Sequence, residues 1–243
     1  MRVSRLYVPL ALMKNQSIEL DDDSAHYIRT VLRLKKDQTI MLFNGTGGEF
    51  LCTLTEISRK TVMASVGAWH DRTVESPLSV TLGLGISRGD RMDWAVQKSV
   101  ELGVRHITPL LTERCVVHFK DDKKELRLQH WQKIAQHACE QSGRTILPAF
   151  GKIEQLGVWA DQQQGLKIFL DPYAEQPLHA LTPDTLQVTL LAGPEGGFSE
   201  AERELAQNAG FIPVRLGGRI LRTETAALSA LAAVQTLWGD FAQ

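Results

Sequence analysis

Two stretches near the C-terminal end limit the architecture more than any other part of this chain. They are Leu191-Ala-Gly-Pro-Glu-Gly-Gly-Phe-Ser199 and Leu216-Gly-Gly-Arg-Ile-Leu-Arg-Thr-Glu-Thr-Ala226. Each runs from an apolar strand through a glycine-rich bend into a capped helix. Glycine allows such a bend to approach a ligand closely and to take backbone angles that side chains forbid. Neither bend has the G-x-x-x-x-G-K-[ST] spacing of a phosphate cradle. Two similar strand-bend-helix units so close together point to one shared pocket.

The same texture extends back to residue 78. Strands are expected at 78–86, 107–111, 167–170, 188–192 and 211–216, and helices at 90–102, 127–142, from Ser199, and 223–238. Ser199 and Glu202 have capping-box spacing. On the 127–142 helix Trp131, Ile134, Ala135, Ala138 and Cys139 share a face, with Gly143 ending it. This alternation predicts a mostly parallel sheet covered by helices, hence an α/β fold.

Residues 1–70 read differently. Segments 41–55 form two strands around the Asn44-Gly45 turn, and 61–66 supply another. One helix is expected at 22–34, with Ile28, Val31 and Leu32 inward and Arg29, Arg33, Lys35 and Lys36 exposed. A small β-barrel with a helical insertion fits, and the polar, proline-marked stretch 68–78 reads as a linker.

Composition narrows the function classes. At 43% hydrophobic and 23% charged residues the chain has the make-up of an ordinary globular protein. A net charge of -1 argues against wholesale coating of nucleic acid but leaves room for a local basic face. The N-terminus lacks the apolar core of a signal peptide, and no run approaches a membrane span, so a cytoplasmic location is expected. Cys52, Cys115 and Cys139 are odd in number and never in C-x-x-C spacing, as expected of buried thiols in a reducing compartment. His130 and His137 are too far apart for an i, i+4 zinc pair, and no metal is expected.

Some motifs carry little. Gly47-Gly-Glu-Phe50 lies in a hairpin with no carboxylate cluster nearby and reads as accidental. The glycines at 83, 85 and 89 miss the dinucleotide fingerprint by one position. Lys98, Glu101, Glu140 and Arg144 lie near helix ends and read as surface ion pairs. Arg88 and Arg91, by contrast, stand at the carboxyl end of a strand, where α/β sheets bind ligands.

The strongest constellation remains the two bends. Arg222, Thr223 and Glu224 start the last helix, where free N–H groups favour anions or lone pairs. Arg222 stays protonated, so it could hold a phosphate or stabilise charge developing on a substrate oxygen. Glu195 or Glu224 could accept a proton, or either could be a fixed acceptor for loop amides.

Taken together, 193–199 and 216–226 resemble the RsmE family of 16S ribosomal RNA methyltransferases, a branch of the SPOUT superfamily. The resemblance extends to Gln97-Lys-Ser-Val-Glu-Leu-Gly-Val104, to Glu140-Gln-Ser-Gly-Arg144, and to His26 with Val31-Leu-Arg33, in order along essentially the whole chain. It implies a PUA-like β-barrel RNA-binding domain at 1–70 and a SPOUT-type methyltransferase domain with a deep trefoil knot at 71–243. It also implies a homodimer using S-adenosylmethionine to methylate uracil N3 at position 1498 of 16S rRNA in the small ribosomal subunit. The implied cofactor pocket comprises Leu170, Leu191, Gly193, Pro194, Glu195, Gly196, Gly197, Leu216, Gly217, Ile220, Leu221 and Thr223.

In that reaction N3 must lose its proton, and negative charge spreads to the uracil oxygens. Arg222 would face that charge, and Glu195, ahead of Glu224, would take the proton. RNA would rest on Arg2, Arg5, Arg29, Arg33, Lys35 and Lys36, extended by Arg88 and Arg91. Two rivals stand beside this reading: another SPOUT enzyme acting on a ribose hydroxyl or a different base, and a non-catalytic RNA-binding assembly factor. A nicotinamide enzyme built on Gly83 to Gly89 is a third, weakened by its imperfect fingerprint.

Overall fold

The computed structural model describes residues 3–115 and 121–242. Alternation of side chains along the first strands builds one compact unit. Ile40 and Leu42 on β3 (Thr39–Phe43), Cys52 and Leu54 on β4 (Glu49–Ile57), and Val62, Ala64 and Val66 on β5 (Val62–His70) all point into one core. With β1 (Arg5–Tyr7) and β2 (Ser17–Glu19) they form a five-stranded sheet in the order β1-β3-β4-β5-β2. Register shifts between Phe50 and Cys52 and between Leu54 and Glu56 bend the long β4–β5 pair.

Three details differ from the expectations. The turn at Asn44-Gly45 is spread over the whole 44–48 loop, because Asn44 Oδ1 turns back to accept the Thr46 N–H and hydroxyl. The helix expected at 22–34 is α1 (Asp22–Tyr27), capped by Asp21, which passes into a π-helical turn at Ile28–Leu32. That turn ends on Arg33 in the left-handed conformation. Val31, expected to face inward, is exposed.

The chain divides at Glu75 and Ser76 rather than after residue 70, and the first unit also takes Cys139–Leu147 from far along the sequence. Local polar bonds explain the return. Arg144 donates to both carboxylate oxygens of Glu75 at 2.9 and 2.7 Å, with side chains only 3% and 5% exposed. Glu140 accepts the Tyr7 N–H at 3.0 Å, and Arg72 donates to the Gly143 carbonyl. Arg144 is therefore a buried structural charge, not a surface one. Lys98 and Glu101 do pair on the surface, at 2.7 Å.

The second unit comprises Ser76–Ala138 and Pro148 onward. Seven strands, all parallel, form its sheet: β6 (Ser79–Gly85), β7 (His106–Leu111), β8 (Ala149–Phe150), β9 (Glu154–Gln155), β10 (Leu166–Leu170), β11 (Gln187–Ala192) and β12 (Ile212–Val214). Their order is β12-β10-β11-β6-β7-β8, with β9 also on β7. The connection from β11 to β12 must therefore pass over β10. Helices α2 (Asp90–Glu101) and α6 (Thr223–Trp238) pack together, while α4 (Leu156–Ala160) packs on α5 (Glu200–Asn208) and β7. Helix α3 spans Asp121–Ser142.

Trp159 anchors the α4 side. It is fully buried with Leu110, Phe169, Leu191, Phe198 and Phe211, and its indole fills the space where Gly83 has no side chain. That glycine serves packing, which accounts for the imperfect dinucleotide fingerprint. Burial also pushes the Cys52 thiol up to about 11 and the Cys139 thiol up to about 12, leaving both inert. Trp159→Ala should cost about 3–5 kcal/mol through the lost transfer energy and the cavity left behind, measured as a lowered urea midpoint.

Candidate active site

Strands β12, β10 and β11 lie side by side and run in the same direction, so their carboxyl ends open at one edge of the sheet. The segments leaving these strands line one cavity of about 470 Å³: residues 171–173 after β10, 193–198 after β11, and 215–223 after β12. This is the position where open parallel sheets present ligand sites.

Capping fixes the walls. Ser199 accepts from the Glu202 N–H at 3.2 Å while Glu202 accepts from the Ser199 N–H at 2.9 Å, completing the expected capping box at α5. The other Glu202 oxygen takes the Glu113 N–H at 2.8 Å, tying α5 to the segment after β7. Absence of a side chain at Gly85 brings the next wall close: a Cβ there would lie 2.5 Å from the Pro194 nitrogen.

Glu195 locks these loops together. One carboxylate oxygen accepts the Arg88 N–H at 3.0 Å and the Arg91 guanidinium at 3.3 Å. Burial, the largest single influence, works to raise its pKa. The amide N–H groups of Arg88 and of Glu195 itself, with Arg91, outweigh burial and hold the carboxyl below its ordinary value. Its second oxygen is buried and has no hydrogen-bond partner among the described residues. A smaller cavity, lined by Arg88, Asp90, Arg91 and Glu195, adjoins at this residue.

Of the expected pocket residues, Leu170, Gly193, Pro194, Glu195, Gly196, Gly197, Leu216, Gly217, Ile220, Leu221 and Thr223 line the main cavity, together with Arg222. Leu191 does not; its side chain lies in the core behind the sheet end. Glu224 is also outside the lining, with one buried oxygen that has no partner among the described residues.

The expected basic residues separate by what holds them. Arg2 lies outside the described residues. Arg5 is largely buried and bound through two nitrogens to Glu49, a structural role that removes it from any phosphate surface. Arg29 donates to the Ser58 and Arg59 carbonyls at 2.9 and 3.0 Å, bracing the turn before β5. Arg33, Lys35 and Lys36 are exposed in the first unit, and Arg88 and Arg91 in the second.

Sequence reasoning missed Asp171, Tyr173, Arg114, Arg203, Arg215 and Arg219, all in the lining. Arg219 sat unremarked inside the 216–226 motif, whereas Asp171, Tyr173 and Arg215 carry no motif. Their one legible signal was position, directly after apolar strands.

Comparison with known proteins agrees with this arrangement. Residues 74–235 match an RNA methyltransferase domain, and residues 20–66 match an RNA methyltransferase PUA domain. The ribosomal RNA small subunit methyltransferase E of Buchnera aphidicola subsp. Schizaphis graminum is 38% identical over 244 residues, 98% of each chain. Its Bacillus subtilis counterpart is 30% identical, covering 90% of this chain and 89% of the relative. A putative methyltransferase from Legionella pneumophila, solved with bound SAM, superposes with a TM-score of 0.96 at 36% identity, covering 99% and 100% of the two chains. The ribosomal RNA small subunit methyltransferase E of Neisseria gonorrhoeae, bound to S-adenosyl methionine, gives 0.92 at 39% identity and the same coverage. With both sequence matches spanning nearly the whole chain and the strand ends built into one loop-walled cavity, this protein belongs to the ribosomal RNA small subunit methyltransferase E family.

Proposed function

We infer that this protein is a methyltransferase that uses S-adenosylmethionine to methylate N3 of a uracil in 16S rRNA. The observation that carries the reading is the convergence of three parallel strand ends on a single cavity with Arg222 at its edge. Incubation with labelled methyl donor and small subunits lacking the modification tests it: the label should map to one N3-methyluridine.

The cavity fits the cofactor. Leu170, Ile220 and Leu221 offer apolar side chains to a purine ring, and backbone of the 193–197 and 216–217 bends lies open to ribose and amino-acid groups. The unpartnered oxygen of Glu195 offers an acceptor to a hydroxyl or ammonium donor. When bound, S-adenosylmethionine supplies an electrophilic methyl group and leaves as a neutral thioether.

The chain's own residues handle the nucleophile. Arg222, exposed in the lining at the start of α6, stabilises the negative charge that deprotonation spreads onto the uracil oxygens. Glu195 is held as an anion, which makes it a weak proton acceptor and suits it to fixing the loops and binding the cofactor. Glu224, two residues beyond Arg222 but outside the cavity lining, reaches the proton only through intervening water. Exposed Arg33, Lys35 and Lys36 in the first unit give phosphates a resting surface.

The same reading includes a deep trefoil knot in the second unit and barrel closure in the first. Passage of the β11–β12 connection over β10 supports the knot, and the bulged β4–β5 pair supports the barrel. It also includes a cytoplasmic homodimer acting on the small ribosomal subunit. Exposed Trp94 and Leu237, on the mutually packed helices α2 and α6, supply apolar surface for a second copy. No helix among the described residues is long and apolar enough to cross a membrane.

Arg222→Ala should lower kcat about 10²–10³-fold at saturating RNA and cofactor, measured in steady-state methyl transfer, with little change in cofactor affinity. Glu195 gives a pH-dependent outcome. Because its pKa is depressed on folding, its stabilisation is present at neutral pH and is lost as pH falls through the lowered value. Wild type should therefore melt above Glu195→Gln at about pH 7, and the gap should narrow as pH falls below the ordinary carboxylate range, as scanning calorimetry would record.

A further inference from the structure

Tyr173 is the most exposed aromatic side chain in the chain's main cavity lining, at 72%, yet it is not loosely held. Its backbone N–H donates to Asp171 at 2.9 Å, and the other oxygen of Asp171 accepts from Arg203 at 2.8 Å. The Arg203 guanidinium lies over the Tyr173 ring, 5.2 Å from its centroid. Asp171 itself is buried, so the ion pair is anchored rather than solvated. The ring is thus backed on one side by a fixed cation, and its exposure leaves the remaining surface to solvent at the cavity mouth.

A planar, polarisable face held open in this way suits a nucleobase. Stacking on aromatic rings requires no particular base edge, and a cation behind the ring keeps the platform rigid. Two planar groups meet at such a site: the adenine of the cofactor and a base of the RNA. Small ligands are mostly swallowed by their pockets, whereas a polymer must remain partly outside. So exposed a ring at the mouth favours the polymer. Charge agrees with this choice. Arg215 and Arg219 are exposed in the same lining, and their guanidinium groups have no hydrogen-bond or ion-pair partner among the described residues.

We propose that the mouth of this cavity is a nucleotide-docking subsite, in which Tyr173, braced by Arg203 and Asp171, stacks on a base of the RNA while Arg215 and Arg219 take the adjoining phosphates. The proposal rests on the methyltransferase reading and adds to it a place where the second unit itself grips the substrate.

Four enzymes test it: wild type, Tyr173→Ala, Tyr173→Phe, and Arg215→Ala/Arg219→Ala. Cofactor affinity is measured by calorimetry with S-adenosylmethionine, and kcat/KM with small subunits lacking the modification, over a range of salt. Tyr173→Ala should lose about tenfold or more in kcat/KM for RNA and keep its cofactor Kd within about twofold, and Tyr173→Phe should restore activity. The double arginine variant should flatten the salt dependence by about one to two charges. Unchanged kcat/KM in Tyr173→Ala overturns the proposal. A weakened cofactor Kd overturns it too, by assigning the stack to adenine, and a loss that Tyr173→Phe does not restore reduces Tyr173 to a hydroxyl-dependent or structural part. If wild type itself transfers no methyl group, the methyltransferase reading fails instead, whatever the variants do.

Discussion

The close approach of the Gly193–Pro194 backbone to Gly85 sets the geometry on which the site depends. Any side chain at position 85 would collide with the Pro194 nitrogen, so the loops after β6 and β11 can meet only because that position is bare. The meeting is then locked by Glu195, which reaches across to the Arg88 N–H and the Arg91 guanidinium. Its carboxylate is stabilised as an anion by the same donors that fix the loops, so electrostatics and loop position are one interaction. A cavity wall held this way needs little reorganisation when a ligand arrives, which is the condition under which fixed dipoles and charges act best.

Much of this was readable from residue order. Strands β6, β7, β10, β11 and β12 announced themselves as short apolar runs between helices, and the Ser199–Glu202 box marked the start of α5, whereas α6 starts on Arg222 without a side-chain cap. The two bends keep glycine for different reasons: Gly196 lies against the Arg114 backbone, while Gly197 and Gly217 take positive φ. What stayed hidden depended on sequence-distant partners. Arg144 looked like a surface charge at a helix end, and only its burial against Glu75, 69 positions away, reveals a structural role. Arg5 misled for the same reason, since Glu49 is what removes it from solvent. Gly83 mimicked part of a nucleotide fingerprint until Trp159 filled the space beside it.

The near-zero net charge of the chain hides an uneven distribution. Arg91, Arg114, Arg215, Arg219 and Arg222 all line the main cavity and are exposed. Formal charge summed over 243 residues says nothing about this concentration of guanidinium groups. A polyanion responds to the local field rather than to the sum, and low-dielectric walls focus that field. Hence a slightly acidic protein can still draw in RNA.

The segment Cys139–Leu147 has a consequence for how the molecule comes into being. A ribosome that has finished residue 75 has not yet made the pieces that hold Glu75 and the Tyr7 N–H, because Arg144 and Glu140 are still to come. The nascent N-terminal segment must wait, the Glu75 carboxylate without its guanidinium partner, until roughly twice that length has been synthesised and has cleared the exit tunnel. The stretch up to residue 75 is therefore no exchangeable module, and recombination at that apparent boundary would leave a donated fragment lacking its own fastening.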